Sequence, residues 1–234
     1  MTDARANVAL IDDELDVLSA LVPLDGWDII ELGCGAAQLS RSLLERHRDC
    51  RVTALEVDLR QHACNVAAPQ DRLRFVFGGA EAIALPDASF DLTLMLKSLH
   101  HVPQGSMAQA LDEVARVLRR GGYLYVSEPV YVGAFNDLIR LFNDEGVVRT
   151  AAQAALDAAL RSGAWEQVAE RRFEMPACFI DFPDFERRMM RPTYADHHID
   201  GGKLAAVRRA FQKHAGTEGA RFTRPMHVRL LRRI

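Results

Sequence analysis

The first 130 residues alternate between two patterns of apolar and polar positions. Short apolar runs, typical of strands buried on both faces of a parallel sheet, occur near residues 28–32, 51–56, 73–77, 90–96 and 122–128. Segments with helical spacing lie between them; the clearest is 107–118, and Gly121-Gly122 is expected to end that helix. This alternation predicts an α/β fold with a doubly wound, mostly parallel sheet.

Beyond Pro129 the pattern changes. Two helical segments follow each other without a strand between them, near 135–142 and 151–160. Later strands are expected at 173–180 and 222–231, and later helices near Phe185 and at 203–214. The pattern therefore predicts a seven-stranded sheet with a helical cap inserted between the fifth and sixth strands.

A strand that runs into two closely spaced glycines carries the first chemical signal. Glu31-Leu32-Gly33-Cys34-Gly35 ends the first strand, and a helix follows from about residue 39. Glycines in such a turn let the backbone approach a ligand closely at the N-terminus of the helix. The second strand ends in acids about twenty residues later, where doubly wound folds contact a ribose. Glu56 is the favoured acid and Asp58 the alternative; an ordinary tight turn and solvated acids are the plain interpretation of the same residues.

Four matches, in this order and spacing, resemble the class I S-adenosylmethionine-dependent methyltransferases. The resemblance is to the small-molecule branch represented by the ubiquinone and menaquinone biosynthesis methyltransferases, and it covers roughly residues 20 to 130. The matching segments are Glu31-x-Gly33-x-Gly35, the acid Glu56, Gly78-Gly79-Ala80-Glu81 with Leu85-Pro86-Asp87-Ala88-Ser89-Phe90-Asp91, and Leu99-His100-His101-Val102 with Arg116-Val117-Leu118-Arg119-Arg120-Gly121-Gly122.

The resemblance implies a Rossmann-like fold with an antiparallel last strand and a cofactor, S-adenosyl-L-methionine, that leaves as S-adenosyl-L-homocysteine. It implies methyl transfer to a small molecule by in-line displacement, with oxygen, nitrogen and carbon acceptors all open. Glu31 is expected at the methionine end, Glu56 on the ribose, and Ala80 with Glu81 beside adenine. The full set of residues that it assigns to the cofactor is Glu31, Gly33, Cys34, Gly35, Glu56, Val57, Ala80, Glu81, Lys97 and Leu99.

Two positions depart from the family pattern. Ala37 stands where the family has a third glycine, and little harm is expected because alanine is small. Gly79 stands where the family has an acid that faces the adenine amine, so adenine recognition is expected to fall on the backbone around Ala80, on Glu81 and on apolar walls. The second departure predicts weaker or altered cofactor binding.

Histidines are the candidate general bases, because the pKa of free histidine lies near neutral pH. His101 follows the fourth strand, where a parallel sheet presents its ligands. His197 lies in a polar segment from Tyr194 to Asp200, for which a surface loop is the alternative interpretation. No metal site is expected, since this segment has no partner cluster of ligands elsewhere.

Two other functions share part of the pattern. An NAD(P)-binding oxidoreductase would have the glycine turn and the acid, but Gln38 stands where its third glycine belongs. A non-catalytic S-adenosylmethionine-binding protein is kept open by Gly79. Enzymes that methylate nucleic acids are disfavoured, because the fourth strand leads into Lys97-Ser98-Leu99, without the Asn-Pro-Pro-aromatic turn or a Pro-Cys pair.

Composition fits one globular domain of 234 residues, with 49% apolar and 26% charged residues and a net charge of -3. We expect a cofactor-binding half at 1–130, the cap at 131–170, and C-terminal strands with substrate-side loops at 171–234. No apolar run spans a bilayer, the N-terminal segment is acidic, and the four cysteines show no paired spacing; a cytoplasmic protein is expected. From residue 181 onward the sequence contains twelve Lys and Arg but only six Asp and Glu. This excess of positive charge favours an acidic small molecule as substrate. The oligomeric state stays open.

Overall fold

The computed structural model of the protein describes residues 8–192 and 195–234. Its helices are α1 (Glu14–Leu21), α2 (Gln38–Arg46), α3 (Leu59–Ala67), α4 (Met107–Val117), α5 (Ala134–Ile139), α6 (Gly146–Arg161), α7 (Phe182–Phe185) and α8 (Gly201–Gln212). Its strands are β1 (Asp28–Leu32), β2 (Arg51–Glu56), β3 (Leu73–Phe77), β4 (Phe90–Leu96), β5 (Leu118–Pro129), β6 (Trp165–Phe179), β7 (Ala215–Gly216) and β8 (Gly219–Arg233). Two 3₁₀ turns (Leu99–His101, Gln104–Ser106) follow β4, and a π-helical turn (Glu186–Met190) follows α7.

The strands form one sheet in the order β3-β2-β1-β4-β5-β8-β6, with β7 paired to β8. The first five strands are parallel to one another, and the last strands run antiparallel. The predicted α/β fold is thus confirmed, and the two-residue β7 adds an eighth strand to the seven predicted. The strand order reverses between β1 and β4, and α/β sheets bind their ligands at such a switch point, beyond the carboxyl ends of the strands.

Helix α4 ends one residue before its predicted end, but the prediction that Gly121-Gly122 ends it is wrong. The helix ends at Val117, and Gly121-Gly122 lies inside β5, which begins at Leu118. The pairing with β4 shifts register at this point, because Phe90 pairs with Leu118 whereas Leu92 pairs with Tyr123. Gly121, with φ +81°, lies in the irregular stretch that results. The glycines therefore serve a bulge at the start of a strand.

The chain divides into two compact units. The larger one comprises residues 13–128, 148–171 and 228–234, and it contains the parallel strands β1 to β4 with helices α1 to α4. In its core, Leu111 and Val114 of α4 pack with Ile30 and Leu124 of the sheet, and Leu156 brings α6 into the same cluster. Burying side chains of this size stabilises the fold by about 1.5–3 kcal/mol each. This core fixes the carboxyl ends of β1 to β4, from which the candidate site is built.

The smaller unit comprises residues 8–12, 129–147 and 172–227, as far as the structure describes them. Its core is aromatic, with ring centroids 5.1–6.4 Å apart in edge-to-face, tilted and stacked pairs. The rings belong to Phe135, Phe179, Phe182, Phe185, Phe211 and Phe222.

The division of the chain into a cofactor half, a cap and a C-terminal part stays a prediction.

Candidate active site

The glycine turn follows β1 at the switch point of the sheet. The backbone N–H groups of Gly33 and Cys34 donate to the carbonyl of Leu55 at 3.0 and 2.9 Å. Gly33 and Gly35 have φ of +70° and +52°, a region that favours glycine. A Cβ at Gly33 would lie 2.8 Å from the Cβ of Ser98, whereas a Cβ at Gly35 would have no atom within 4 Å. The turn is therefore tightly packed at Gly33 and open at Gly35.

Glu56 fastens this turn to β2. One carboxylate oxygen accepts from Gly35 N at 2.7 Å, and the other accepts from Val57 N and Asp58 N, both at 2.8 Å. A carboxylate has about four acceptor positions, so the backbone uses three of them. Asp58, the alternative acid, is the N-cap of α3, where its side chain accepts from Arg60 N at 2.9 Å. Glu56 thus faces the turn, and Asp58 stabilises a helix.

Asn65 of α3 supports the same turn from the other side. Its side-chain amide donates to the carbonyl of Gly35 at 2.7 Å, and its carbonyl oxygen accepts from Gln61 at 2.9 Å. The residue is 3% exposed. The backbone of Gly35 is therefore held at both its N–H and its carbonyl group.

Glu31 is a buried carboxyl at the end of β1, and Ser40 of α2 donates its hydroxyl to it. Burial raises the pKa of Glu31 to about 7, against the opposing effects of the Ser40 hydrogen bond and of the charge on Lys97. The neighbouring charge of Glu14 raises the same pKa further. A carboxyl in this environment ionises readily when a cation comes close.

The environment of Cys34 disfavours a nucleophilic role. Burial, followed by the charges of Glu31 and Glu56, raises the pKa of its thiol far above the ordinary value. Because the thiolate is the reactive form, the side chain is inert at neutral pH. Its contribution to the turn is the backbone N–H described above.

Lys97 begins the segment after β4 and takes a left-handed backbone conformation, with φ +56°. Its ammonium group donates to Glu14 at 3.3 Å, and the hydroxyl of Tyr125 donates to the other oxygen of Glu14 at 3.3 Å. Glu14, the first residue of α1, is 4% exposed. Helix α1 therefore brings a buried carboxylate to the same edge of the sheet.

His100 and Glu128 form a buried pair at the ends of the neighbouring strands β4 and β5. The Nδ1 atom of His100 donates to one oxygen of Glu128, and the N–H of Leu99 donates to the other at 3.0 Å. The imidazole of His101, an exposed residue, lies against that of His100, with ring centroids 4.1 Å apart. The predicted base His101 thus stands beside a histidine that a carboxylate orients.

The segment after β3 carries the residues assigned to the adenine. Gly78 N donates to the carbonyl of Glu56 at 3.2 Å, which ties the segment to the end of β2. Ala80 is buried, and the backbone carbonyl of Glu81 accepts from the side chain of Gln109 at 2.9 Å. The segment is therefore held by both β2 and α4.

His197 belongs to the smaller unit. Among the described residues its Nδ1 atom has no hydrogen-bond partner, and the ring is half-buried. The neighbouring His198 pairs with Asp196 at 3.2 Å. No three of the histidines and acids between Asp196 and Asp200 bring ligand atoms within 4.8 Å of one another. Tyr194, which begins the predicted polar segment, lies outside the described residues.

One motif arginine is structural. Arg116 of α4 donates to the backbone carbonyls of Ile83 and Leu85 at 2.6 and 2.9 Å. It also pairs with the carboxylates of Asp87 at 2.6 Å and Glu113 at 2.8 Å. This part of the motif holds the segment between β3 and β4 against the helix.

All ten residues assigned to the cofactor lie in the larger unit, on the segments that follow β1, β2, β3 and β4 or end those strands. Along this edge of the sheet, the residues lie in the order of the strands to which they belong. Sequence reasoning missed four buried polar residues that position them, which are Glu14, Ser40, Asn65 and Glu128. A usable signal existed only for the last, because Glu128 lies at the end of β5, His100 follows β4, and these strands are neighbours in the sheet.

Residues 30–126 match the methyltransferase domain family. The sequence is 29% identical over 163 residues to the 27-O-demethylrifamycin SV methyltransferase of Amycolatopsis mediterranei, covering 64% of this chain and 58% of that protein. It is 33% identical over 129 residues to the ubiquinone biosynthesis O-methyltransferase of Xylella fastidiosa, covering 51% and 48%.

A solved structure of a SAM-dependent methyltransferase from Methanosarcina mazei has a similar fold, with a TM-score of 0.59 at 15% identity. The similarity covers 96% of this chain and 99% of that one. The chain spans about half the length of the curated relatives it matches. The resemblance indicated by the motifs is thereby confirmed for the domain. Within the described ranges, no helix is both long and apolar enough to cross a bilayer.

Proposed function

We propose that the protein transfers a methyl group from S-adenosyl-L-methionine to a small-molecule acceptor and releases S-adenosyl-L-homocysteine. The observation that carries this proposal is the glycine turn, which is packed against Ser98 at Gly33, held by Glu56 and Asn65 at Gly35, and open at the position where Gly35 would carry a Cβ. A turn that is rigid on one side and open on the other accepts an extended ligand against its backbone.

The charges at this edge fit the proposed cofactor. The amino-acid end of S-adenosyl-L-methionine carries an ammonium group, and Glu31 is a buried carboxyl whose pKa of about 7 such a cation would lower. The sugar carries two hydroxyl donors, and Glu56 has acceptor capacity left beyond its three backbone bonds. Val57, 58% exposed, offers an apolar surface beside it for a planar base.

The cofactor supplies a methyl group already activated by the positive charge on sulfur. The tasks of the protein's own residues are to hold both partners in line, to exclude water, and to accept a proton when the acceptor is a hydroxyl group. We assign the last task to His101, whose neighbour His100 is fixed by Glu128. His197 remains a second candidate for the base.

We propose an oxygen atom as the acceptor. The names of the curated relatives from A. mediterranei and X. fastidiosa refer to methylation at oxygen, and a histidine base suits a hydroxyl group. The excess of basic residues after residue 181 is consistent with an acidic acceptor. Several of these arginines, however, pair with acids or lie over aromatic rings, which leaves fewer of them for a ligand.

We further propose that the protein works in the cytoplasm and binds neither nucleic acid nor membrane. The four cysteines are free thiols, which suits a reducing compartment. The net charge of -3 gives no general attraction to phosphate backbones.

Equilibrium titration tests the cofactor assignment. S-adenosyl-L-homocysteine should bind saturably, and Glu56→Ala should weaken this binding by about 1–3 kcal/mol, since charge-assisted hydrogen bonds are lost. Asp58→Ala is the matched control, because Asp58 caps α3 and should leave the dissociation constant nearly unchanged.

Two outcomes would overturn the proposal. Saturation by NADH without any response to the sulfonium compound or its product would point to an oxidoreductase. Tight binding without release of S-adenosyl-L-homocysteine, across broad sets of hydroxyl, amine and carbon acceptors, would point to a non-catalytic binding protein.

A further inference from the structure

The carboxylate of Glu81 occupies the space in which a side chain at position 79 would begin. A Cβ built on Gly79 would lie 2.5 and 2.6 Å from the two carboxylate oxygens of Glu81 and 2.7 Å from its Cδ. Real Cβ atoms essentially never come within 3.0 Å of another heavy atom in this way. Glycine at position 79 and the present conformation of Glu81 therefore depend on each other.

The backbone on both sides of this contact is held in place. Gly78 donates to the carbonyl of Glu56 at 3.2 Å, Ala82 donates to the carbonyl of Gly79 at 3.4 Å, and Gln109 donates to the carbonyl of Glu81 at 2.9 Å. The carboxylate of Glu81 is thus presented from a fixed segment directly after β3.

The strand order places three ligand-facing segments in a row. The ends of β1, β2 and β3 carry the glycine turn, Glu56 and Glu81, and these strands are neighbours in the sheet. The amino-acid tail, ribose and base of an adenosyl compound are likewise arranged in a row. A ligand with its tail at the glycine turn and its sugar at Glu56 would extend its base toward the segment after β3 that carries Glu81.

We propose that Glu81 determines the specificity of this site for adenine, by accepting a hydrogen bond from the exocyclic amino group in place of an acid at position 79. This inference rests on the proposed function. A carboxylate only accepts hydrogen bonds, and the adenine amine donates two of them. Hypoxanthine carries a carbonyl oxygen at the same position, so a carboxylate facing it would meet a second acceptor. The absence of an acid at position 79 is in this way compensated two residues further along the chain.

The test compares S-adenosyl-L-homocysteine with S-inosyl-L-homocysteine, which carries a carbonyl oxygen in place of the amino group and a proton on N1, by titration calorimetry. The unchanged protein should prefer the adenosyl compound by about 10- to 100-fold, the value of a hydrogen bond to a charged group. Glu81→Gln should reduce this preference to about threefold or less, because an amide can present either an oxygen or an NH₂ group. Glu45→Gln, which neutralises an exposed acid of α2, should keep the full preference.

Moving the acid from position 81 to position 79 tests whether the preference for adenine requires an acid at position 81 or only an acid in this segment. Gly79→Asp alone should leave the unfolding temperature nearly unchanged, because the atoms that its Cβ would meet are the far end of the flexible Glu81 side chain, which can rotate away. Gly79→Asp with Glu81→Ala places the acid at position 79 and should keep the preference for adenine that Glu81→Ala alone loses.

The two proposals fail in different ways. If the unchanged protein binds neither compound, the proposed function falls. If it binds the adenosyl compound and Glu81→Gln retains the full preference, the methyltransferase proposal stands and Glu81 is not the specificity residue.

Discussion

At the scale of single residues, the site depends on where carboxylates are buried. Glu56 uses three acceptor positions on backbone N–H groups, and Glu31 receives one hydroxyl in a buried environment. Burying a charge without a full set of hydrogen-bond partners costs free energy. Each such carboxylate therefore lowers the stability of the protein, while it provides a group that can bind a ligand. Glu31 is the clearer case, because its pKa is raised to about 7.

The raised pKa makes stability depend on pH with a defined sign. Since the native protein holds the Glu31 proton more tightly than the unfolded chain does, the free energy of unfolding should fall as pH rises from about 4.5 to about 7. The part due to this group is about 3 kcal/mol. The side chain introduced by Glu31→Gln stays neutral at every pH. The free energy of unfolding of this variant should therefore fall less between pH 5 and pH 8, as measured by chemical denaturation. An equal pH dependence in the variant would show that the native carboxyl titrates like a free one.

At the scale of elements, much of the family motif holds segments together and does not touch a ligand. Arg116 joins helix α4 to the chain between β3 and β4 through the carbonyls of Ile83 and Leu85 and the carboxylate of Asp87. The next motif arginine, Arg119, pairs with Asp28 at 3.1 Å, at the start of β1. The spacing of the arginines in this motif is therefore explained by the way in which a helix is attached to a parallel sheet.

Arg116→Lys should therefore destabilise the larger unit, although it conserves the charge. A single ammonium group cannot reach two carbonyls and two carboxylates at once, as the planar guanidinium does. We expect a loss of about 2 kcal/mol in the free energy of unfolding, from hydrogen bonds to a charged group that are no longer made. Arg120→Lys, at a neighbouring exposed position, should have almost no effect on the same denaturation curve. Equal effects of the two substitutions would contradict this role.

The sequence predicts some elements better than others for a physical reason. Strands β1 to β4 match their predicted bounds, because strands buried on both faces are short apolar runs. Strand β6 begins at Trp165, eight residues before the predicted start at 173, because its first half exposes polar residues such as Glu166 and Glu170. Helix α1 was not predicted, although its Glu14 lies buried at the candidate site. Residue types in a motif indicate a ligand edge, but hydrogen bonds across the chain decide which side chain faces it.

At the scale of the whole molecule, every residue assigned to the cofactor belongs to one compact unit. The aromatic core built from Phe135, Phe179 and Phe211 belongs to the other. A ligand that binds only the native state stabilises the part of the protein it touches and slows the local opening of that part. The division of the chain therefore predicts where protection should appear.

Hydrogen exchange measured with and without S-adenosyl-L-homocysteine tests this prediction. Backbone amides at 33–37, 56–58 and 78–82 should exchange more slowly when the ligand is present, because these segments follow β1, β2 and β3 and carry the assigned residues. Amides of α8 (Gly201–Gln212) in the smaller unit provide the internal reference, since none of the assigned residues lies there. Glu56→Ala should show less added protection than the unchanged protein at a ligand concentration near the dissociation constant of the unchanged protein. Protection that appears in α8 and is absent from the three segments would place the ligand on the smaller unit, and it would contradict a role of the glycine turn in binding the cofactor.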